Sequence, residues 1–378
     1  MKRQQDTLIL LALPVTKSVP GMKYFALAMV FPVFLTIALN CSHSGSEMEQ
    51  AGSTRDLIDT IGFARFPWQM DSVMARIVRA GWKNSEEMTW RMAICPHDDY
   101  TYVGSLYPEI LQGIKAKTLI LIGVAHKAAQ IGIEDSLVFD SFSYWKGPWQ
   151  PVPVSPLRDQ LFDTLGGKYA IVSDTLQKVE HSIEAMIPFL QYFNRDITIV
   201  PVLVPAMPAE RMKECARAFA GTLQEITAKN RMVWGKDFAI IVTTDAVHYG
   251  NEDWGGTDMA FFGCDSTGNR KALLHEHEII DRCLIGKITP EKINMFSSFT
   301  LKPDNYREYQ WTWCGRYSVP FTLYLSYFFD EKGTIEGKLM GYSTSITSAH
   351  IPVDDIGMGR TAIATDCHWV GYAAIGYR

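Results

Sequence analysis

The 378-residue sequence has no internal repeat and no long polar linker, so nothing in it marks a division into several folded units. It has no basic run beyond the first forty residues that could track a phosphate backbone. Its net charge of -5 comes from interspersed Lys, Arg, Asp and Glu, which argues against a nucleic-acid partner. Its seven cysteines include no CxxC pair and no zinc-finger spacing, which excludes a metal-ribbon framework, and no disulfide connectivity can be read from them. It has no nucleophile-elbow motif and no local protease signature. What it does have is apolar and aromatic substance, 47% and 12% of residues, enough to bury a sizeable core.

The first forty residues differ in kind from the rest. Residues 24–40 form an apolar run behind Lys23 that stops at Cys41 and gives way to SHSGSEMEQ, the profile of an export signal. A cysteine directly after such a run resembles a bacterial lipoprotein signal, with Cys41 as the lipidated residue. The expected organisation is a signal segment over 1–41, a Ser-, Gly- and Glu-rich tether over 42–60, and a single domain over 61–378. The expected location is the bacterial cell envelope, with the chain anchored in the membrane through that lipid or the apolar segment.

Within the domain, RMAIC before residue 96, TLILIG at 118–123, ITIVPVLV at 197–204 and FAIIVTT at 238–244 read as buried, largely parallel strands. Helical patterns lie near 105–115, 181–194, 208–228, 268–285 and 290–298. The fold class that follows is a layered α/β sandwich with a central, largely parallel or mixed sheet. In such sheets ligands settle beyond the carboxyl ends of the strands. The first of these strands runs out into His97, Asp98 and Asp99, the second into His126, and the one at 238–244 into Asp245 and His248.

Two imidazoles on rigid strand ends, His97 and His126, can share a metal. Asp245 and His248, three residues apart, read as a catalytic pair or as an ordinary turn cap beside a packed ring. Cys314 lies in WTWCGRY, where Gly315 permits a tight turn and Arg316 would favour a thiolate ligand. Two imidazoles and a thiolate suit copper or iron better than magnesium or calcium. His181 and Glu184 could line the pocket from the other side, with Ser182 capping a helix, while the HEHE stretch at 275–278 reads as a solvated surface.

The strings PHDDYTYVG, GVAHK, EHSIE, TTDAVHYG and CGR, in that order, closely resemble the Memo family, whose microbial members are also called AmmeMemoRadiSam system protein B. The resemblance implies a fold like the class III extradiol dioxygenases and a pocket of His97, His126, Asp245, His248 and Cys314. Of these it makes His97, His126 and Cys314 candidate ligands of an iron or copper ion. Asp98, Asp99 and Lys127 depart from the family's usual residues. The leading expectation is a metal-dependent, dioxygenase-like oxidoreductase in which Asp245 and His248 manage protons. The alternatives are a binding module that holds a peptide or small molecule in the same pocket, beside the aromatic run at 306–313, and a Cys314 nucleophile with His248 or His126 as base.

Overall fold

The computed structural model describes residues 52–84, 88–330 and 332–378. The apolar segment, Cys41 and the first part of the expected tether lie outside these residues. Among the described residues, no helix is long and apolar enough to cross a membrane.

A ten-stranded mixed sheet organises the chain. Its strands in chain order are β1 (Met92–Cys95), β2 (Thr118–Val124), β3 (Leu137–Phe139), β4 (Ala170–Val172), β5 (Thr198–Val204), β6 (Phe238–Thr243), β7 (His248–Gly250), β8 (Gly286–Lys287), β9 (Glu336–Thr344) and β10 (His368–Tyr377). Across the sheet they run β8-β9-β10-β1-β6-β2-β5-β3-β4, with β7 paired to β10. The four adjacent strands β1, β6, β2 and β5 are parallel, and β10 closes against β1 antiparallel. These four are the strands expected from the sequence.

Their apolar runs are continuous because both faces are covered, and alternate side chains enter two different cores. Ile94, Ile120, Ile122, Val200 and Val242 face one core, which the helices Ala209–Asn230 and Ser318–Phe329 complete with Phe219, Leu223, Phe321 and Leu325. Ala93, Leu119, Leu121, Ile199 and Ile241 face the other, beneath the helices Pro67–Arg79, Leu106–Leu111 and Ile187–Phe193. The result is a three-layer α/β sandwich.

The expected tether of 42–60 is too long. Residues 54–55 pair in parallel with Tyr144–Trp145, and Arg55 is 1% exposed. Its guanidinium bonds the Glu184 carboxylate and the carbonyls of Gln177 and Glu180, and it lies 4.3 Å from the centre of the Trp145 ring. A buried cation with that many partners belongs to the domain, whose wall therefore starts before residue 61. The helix expected over 181–194 begins later, at Ile187, after a short 3-10 turn. Ser182 is not its cap, because its hydroxyl donates instead to the Val124 carbonyl.

The HEHE stretch is not all solvated. Glu276 is fully buried on the helix Ser266–Ile279, where it accepts from Trp311 Nε1, Trp313 Nε1 and the Val247 amide. Burial pushes its carboxyl up to about 7, against the opposing pull of those donors. Because the folded state holds this proton more tightly than the unfolded chain does, stability should fall as pH rises from about 4.5 to 7. The linked loss is roughly 3 kcal/mol, at about 1.4 kcal/mol per pH unit. Glu276→Gln should flatten that part of the curve, as read from urea unfolding across this pH range. An unchanged slope would assign the pH dependence to other groups.

Candidate metal centre

β1, β6 and β2 are neighbours, and their carboxyl ends deliver His97, Asp245 and His126 to one side of the sheet. A cavity of about 870 Å³ opens there. Its wall includes His97, Asp98, Asp99, His126, Lys127, His181, Asp245 and His248. Ile58, Asp59 and Thr60, from the segment read as tether, also line it, with Ile61 beside them.

His97, His126 and His181 form one cluster, with one ring nitrogen from each lying within 4.8 Å of the others. Ring centres are 5.2 Å apart for His97 and His126, 5.5 Å for His97 and His181, and 4.9 Å for His126 and His181. His97 is buried, its Nδ1 2.7 Å from Thr243 Oγ1, which leaves Nε2 for other partners. Glu180 lies beside the other two rings: its Oε1 is hydrogen-bonded to His126 Nδ1 at 2.7 Å and lies 3.5 Å from His181 Nδ1. A carboxylate hydrogen-bonded to an imidazole, as Glu180 is to His126, is the arrangement that fixes the ring and raises ligand basicity.

Burial, with the neighbouring imidazoles, holds His97 well below the usual histidine range and His181 down at about 4. Both are therefore neutral near pH 7, as a ligand must be. For Glu180, burial raises the carboxyl, but the hydrogen bond with His126 and the nearby imidazoles outweigh it and hold the carboxyl below the ordinary glutamate value. Glu180→Gln keeps an acceptor for His126 but removes the charge. It should weaken metal affinity about 10-fold, within the 10- to 100-fold range for such supporting residues, in a chelator-competition titration.

A second cluster shares His97. His97 Nε2 is 3.4 Å from Asp245 Oδ2 and 3.6 Å from Cys314 Sγ, and the three side chains are all buried. Asp245 also accepts from the His97 amide at 3.0 Å, and its own amide donates to Cys314 Sγ at 3.0 Å. The segment carrying Cys314 reaches this position because the His248 amide donates to Thr312 O and Gly315 packs on Thr244, where any Cβ would collide. Cys314 thus sits on the inner side of His97, and the ring that completes the cluster with His97 and His126 is His181.

Other expectations change here. Burial and the Asp245 charge push the Cys314 thiol well above its ordinary pKa. Arg316 does nothing to lower it, because its guanidinium lies 3.4 Å from the centre of the Tyr309 ring, away from the cavity wall. A buried thiol held protonated in this way is a poor nucleophile. Glu184 also turns away from the cavity and bonds Arg55 and the amides of Ile58 and Asp59.

Asp98 does line the cavity, accepting from Tyr372 Oη at 2.6 Å, and burial together with the Asp245 charge pushes it up to about 7. His248 starts β7 rather than lying on a helical turn with Asp245. Its Nε2 is buried with no hydrogen-bond partner.

His368 and Trp254 complete the wall, with rings stacked at 4.0 Å. Neither was expected from the sequence. The adjacency of Glu180 to His181 was the one available signal for the supporting carboxylate.

The sequence profile described as Memo-like protein matches residues 65–357, which contain all five strings and both clusters. The chain belongs to the Memo family. It is similar to a MEMO1 family protein of Methanosarcina barkeri, 30% identical over 159 residues, 42% of this chain and 54% of that one. One from Methanothermobacter thermautotrophicus is 28% identical over 167 residues, with the same coverage. The match to one from Thermococcus kodakarensis is longer, 24% identical over 294 residues, 75% of this chain and 86% of the relative. The chain thus spans about half the length of the first two relatives.

Proposed function

We propose that this Memo-family chain is a metal-dependent oxidoreductase whose ion, iron or copper, is held by His97, His126 and His181 at the base of the cavity. The observation that carries the reading is the three-imidazole cluster with Glu180 behind two of its rings. Imidazole donors suit copper, iron and zinc rather than magnesium or calcium, and a three-ligand set leaves coordination open toward the cavity. The bound ion would supply one-electron redox chemistry.

The chain's own residues would manage the rest. His248 lines the cavity with a buried Nε2 that has no hydrogen-bond partner among the described residues, and a bound molecule would satisfy it. Asp245, pushed up to about 7 by burial, can hold or release a proton near neutral pH. Ile58, Ile61, Val179 and Ile363 would exclude water from the bound molecule. Read with the Cys41 signal, the reaction would take place in the cell envelope.

The His97, Asp245 and Cys314 cluster favours a second placement, with the ion on the inner side of His97. Two variants separate the placements. In the first, His181→Ala loses the metal and Cys314→Ser keeps it, and in the second the pattern is reversed. Dioxygen uptake by the iron- or copper-loaded chain with a reducing co-substrate tests turnover. A loaded chain that consumes none, yet gains thermal stability from the same compounds, is a binding module instead.

A further inference from the structure

Of the six described cysteines, Cys95, Cys215, Cys283 and Cys314 are buried, while Cys264 and Cys367 are partly exposed. The last two lie far apart in sequence and meet at one place on the surface. Cys264 Sγ is 3.4 Å from Asn251 Oδ1. The backbone of that same Asn251 donates to the Cys367 carbonyl at 3.0 Å, and Glu252 donates to it at 3.2 Å. Gly250, with φ of +123°, allows this approach, since a Cβ there would collide with the Cys367 carbonyl. The Cys264 side chain is also the main influence on the Cys367 thiol, which it pushes up to about 11.

Their position links them to the cavity. Cys264 ends the excursion that follows β7 and carries Asp253 and Trp254, while Cys367 directly precedes His368 at the start of β10. Trp254 stacks on His368 at 4.0 Å and lies 5.1 Å from the His248 ring centre, so this excursion forms one wall of the cavity.

We propose that Cys264 and Cys367 are a reversible dithiol–disulfide pair that, when closed, staples the Trp254 wall of the cavity to the start of β10. The oxidant is a low-molecular-weight disulfide, RSSR. One cysteine thiolate attacks it, forming a mixed disulfide and releasing RS⁻. The second thiolate then attacks the protein sulfur, forming the Cys264–Cys367 bond and releasing the other RS⁻. Two S–H bonds are lost and one S–S bond is formed. Two electrons and two protons pass to RSSR, which leaves as two RSH. The proposal does not depend on which metal, if any, occupies the histidine cluster.

The test uses the full chain, equilibrated with oxidised glutathione or with excess reduced glutathione, then alkylated and mapped by peptide mass spectrometry. The expected product in the oxidised sample is a Cys264–Cys367 cross-linked peptide, two hydrogens lighter than its parts. Proteinase K cleavage within 251–263 should then be about 10-fold slower than in the reduced sample, because closure restricts local opening. The Cys264→Ser/Cys367→Ser double variant should be cleaved like reduced wild type under both conditions. Glutathione adducts on each cysteine without pairing would overturn the proposal. So would a cross-link to another cysteine, or a cleavage rate that oxidation leaves unchanged.

Discussion

Replacing His97 by alanine is expected to remove metal binding almost entirely, with affinity falling roughly 100- to 1,000-fold. The size follows from an apparent energy of about 10–16 kcal/mol for a four-ligand structural zinc site, about 2.5–4 kcal/mol per ligand, applied to one imidazole here. The effect should be larger than for His126 or His181, because among the described residues His97 alone belongs to both clusters. Every placement of the ion within either cluster needs it. The fold should tolerate the change: His97 is a strand-end residue whose amide bond to Asp245 does not involve its side chain, although Thr243 Oγ1 loses its ring partner. The check is isothermal titration with Fe(II) and Cu, beside a thermal melt that shows the variant folded. Wild-type affinity in a folded His97→Ala chain would place any metal outside both clusters.

The second large effect is on stability. Arg55→Met should destabilise the domain by about 3–5 kcal/mol, since it leaves the Glu184 carboxylate buried beside only the amides of Ile58 and Asp59. Burial already raises the Glu184 carboxyl, with Arg55 the main opposing influence, so removing the cation removes what keeps it charged. The cost also reaches the site. Arg55 holds the carbonyls of Gln177 and Glu180, and thereby the turn that presents Glu180 and His181 to the cavity. Metal affinity should therefore fall along with stability. The double variant Arg55→Met/Glu184→Gln should recover much of the loss, because the penalty is an unpaired charge rather than a missing contact. Urea midpoints for the three chains provide the measurement. No recovery in the double variant would mean that Arg55 acts mainly through its carbonyl bonds and its packing on Trp145.

The parts of this architecture that could be read from sequence are those fixed by local pattern. Continuous runs such as TLILIG announce strands covered on both faces, and a histidine directly after such a run has few places to go but the crevice. His97, His126 and Asp245 were legible for that reason. Arg55 was not, because a Ser- and Gly-rich neighbourhood reads as tether and its partner Glu184 lies 129 residues away. Glu180 and Glu184 looked alike in EHSIE. Only the packing of the turn shows that the first faces the histidines and the second faces Arg55. His368 looked like a loop residue because its neighbours, Trp254 on the wall and Glu252 just before it in sequence, come from a distant excursion. Cys314 lies beside His97 but in a cluster without His126, and Arg316 was given the wrong neighbour, since a residue two positions away in a turn can point to another face of the molecule.

The central claim is that His97, His126 and His181 hold a redox metal. It is tested most directly by elemental analysis of the full chain, purified without chelator and then equilibrated with Fe(II) or Cu under reducing conditions. The expected result is about one equivalent of iron or copper per chain in the wild type, with little in the His126→Ala/His181→Ala double variant. A wild-type chain that carries neither ion and takes up neither, or a double variant that retains a full equivalent, would contradict it.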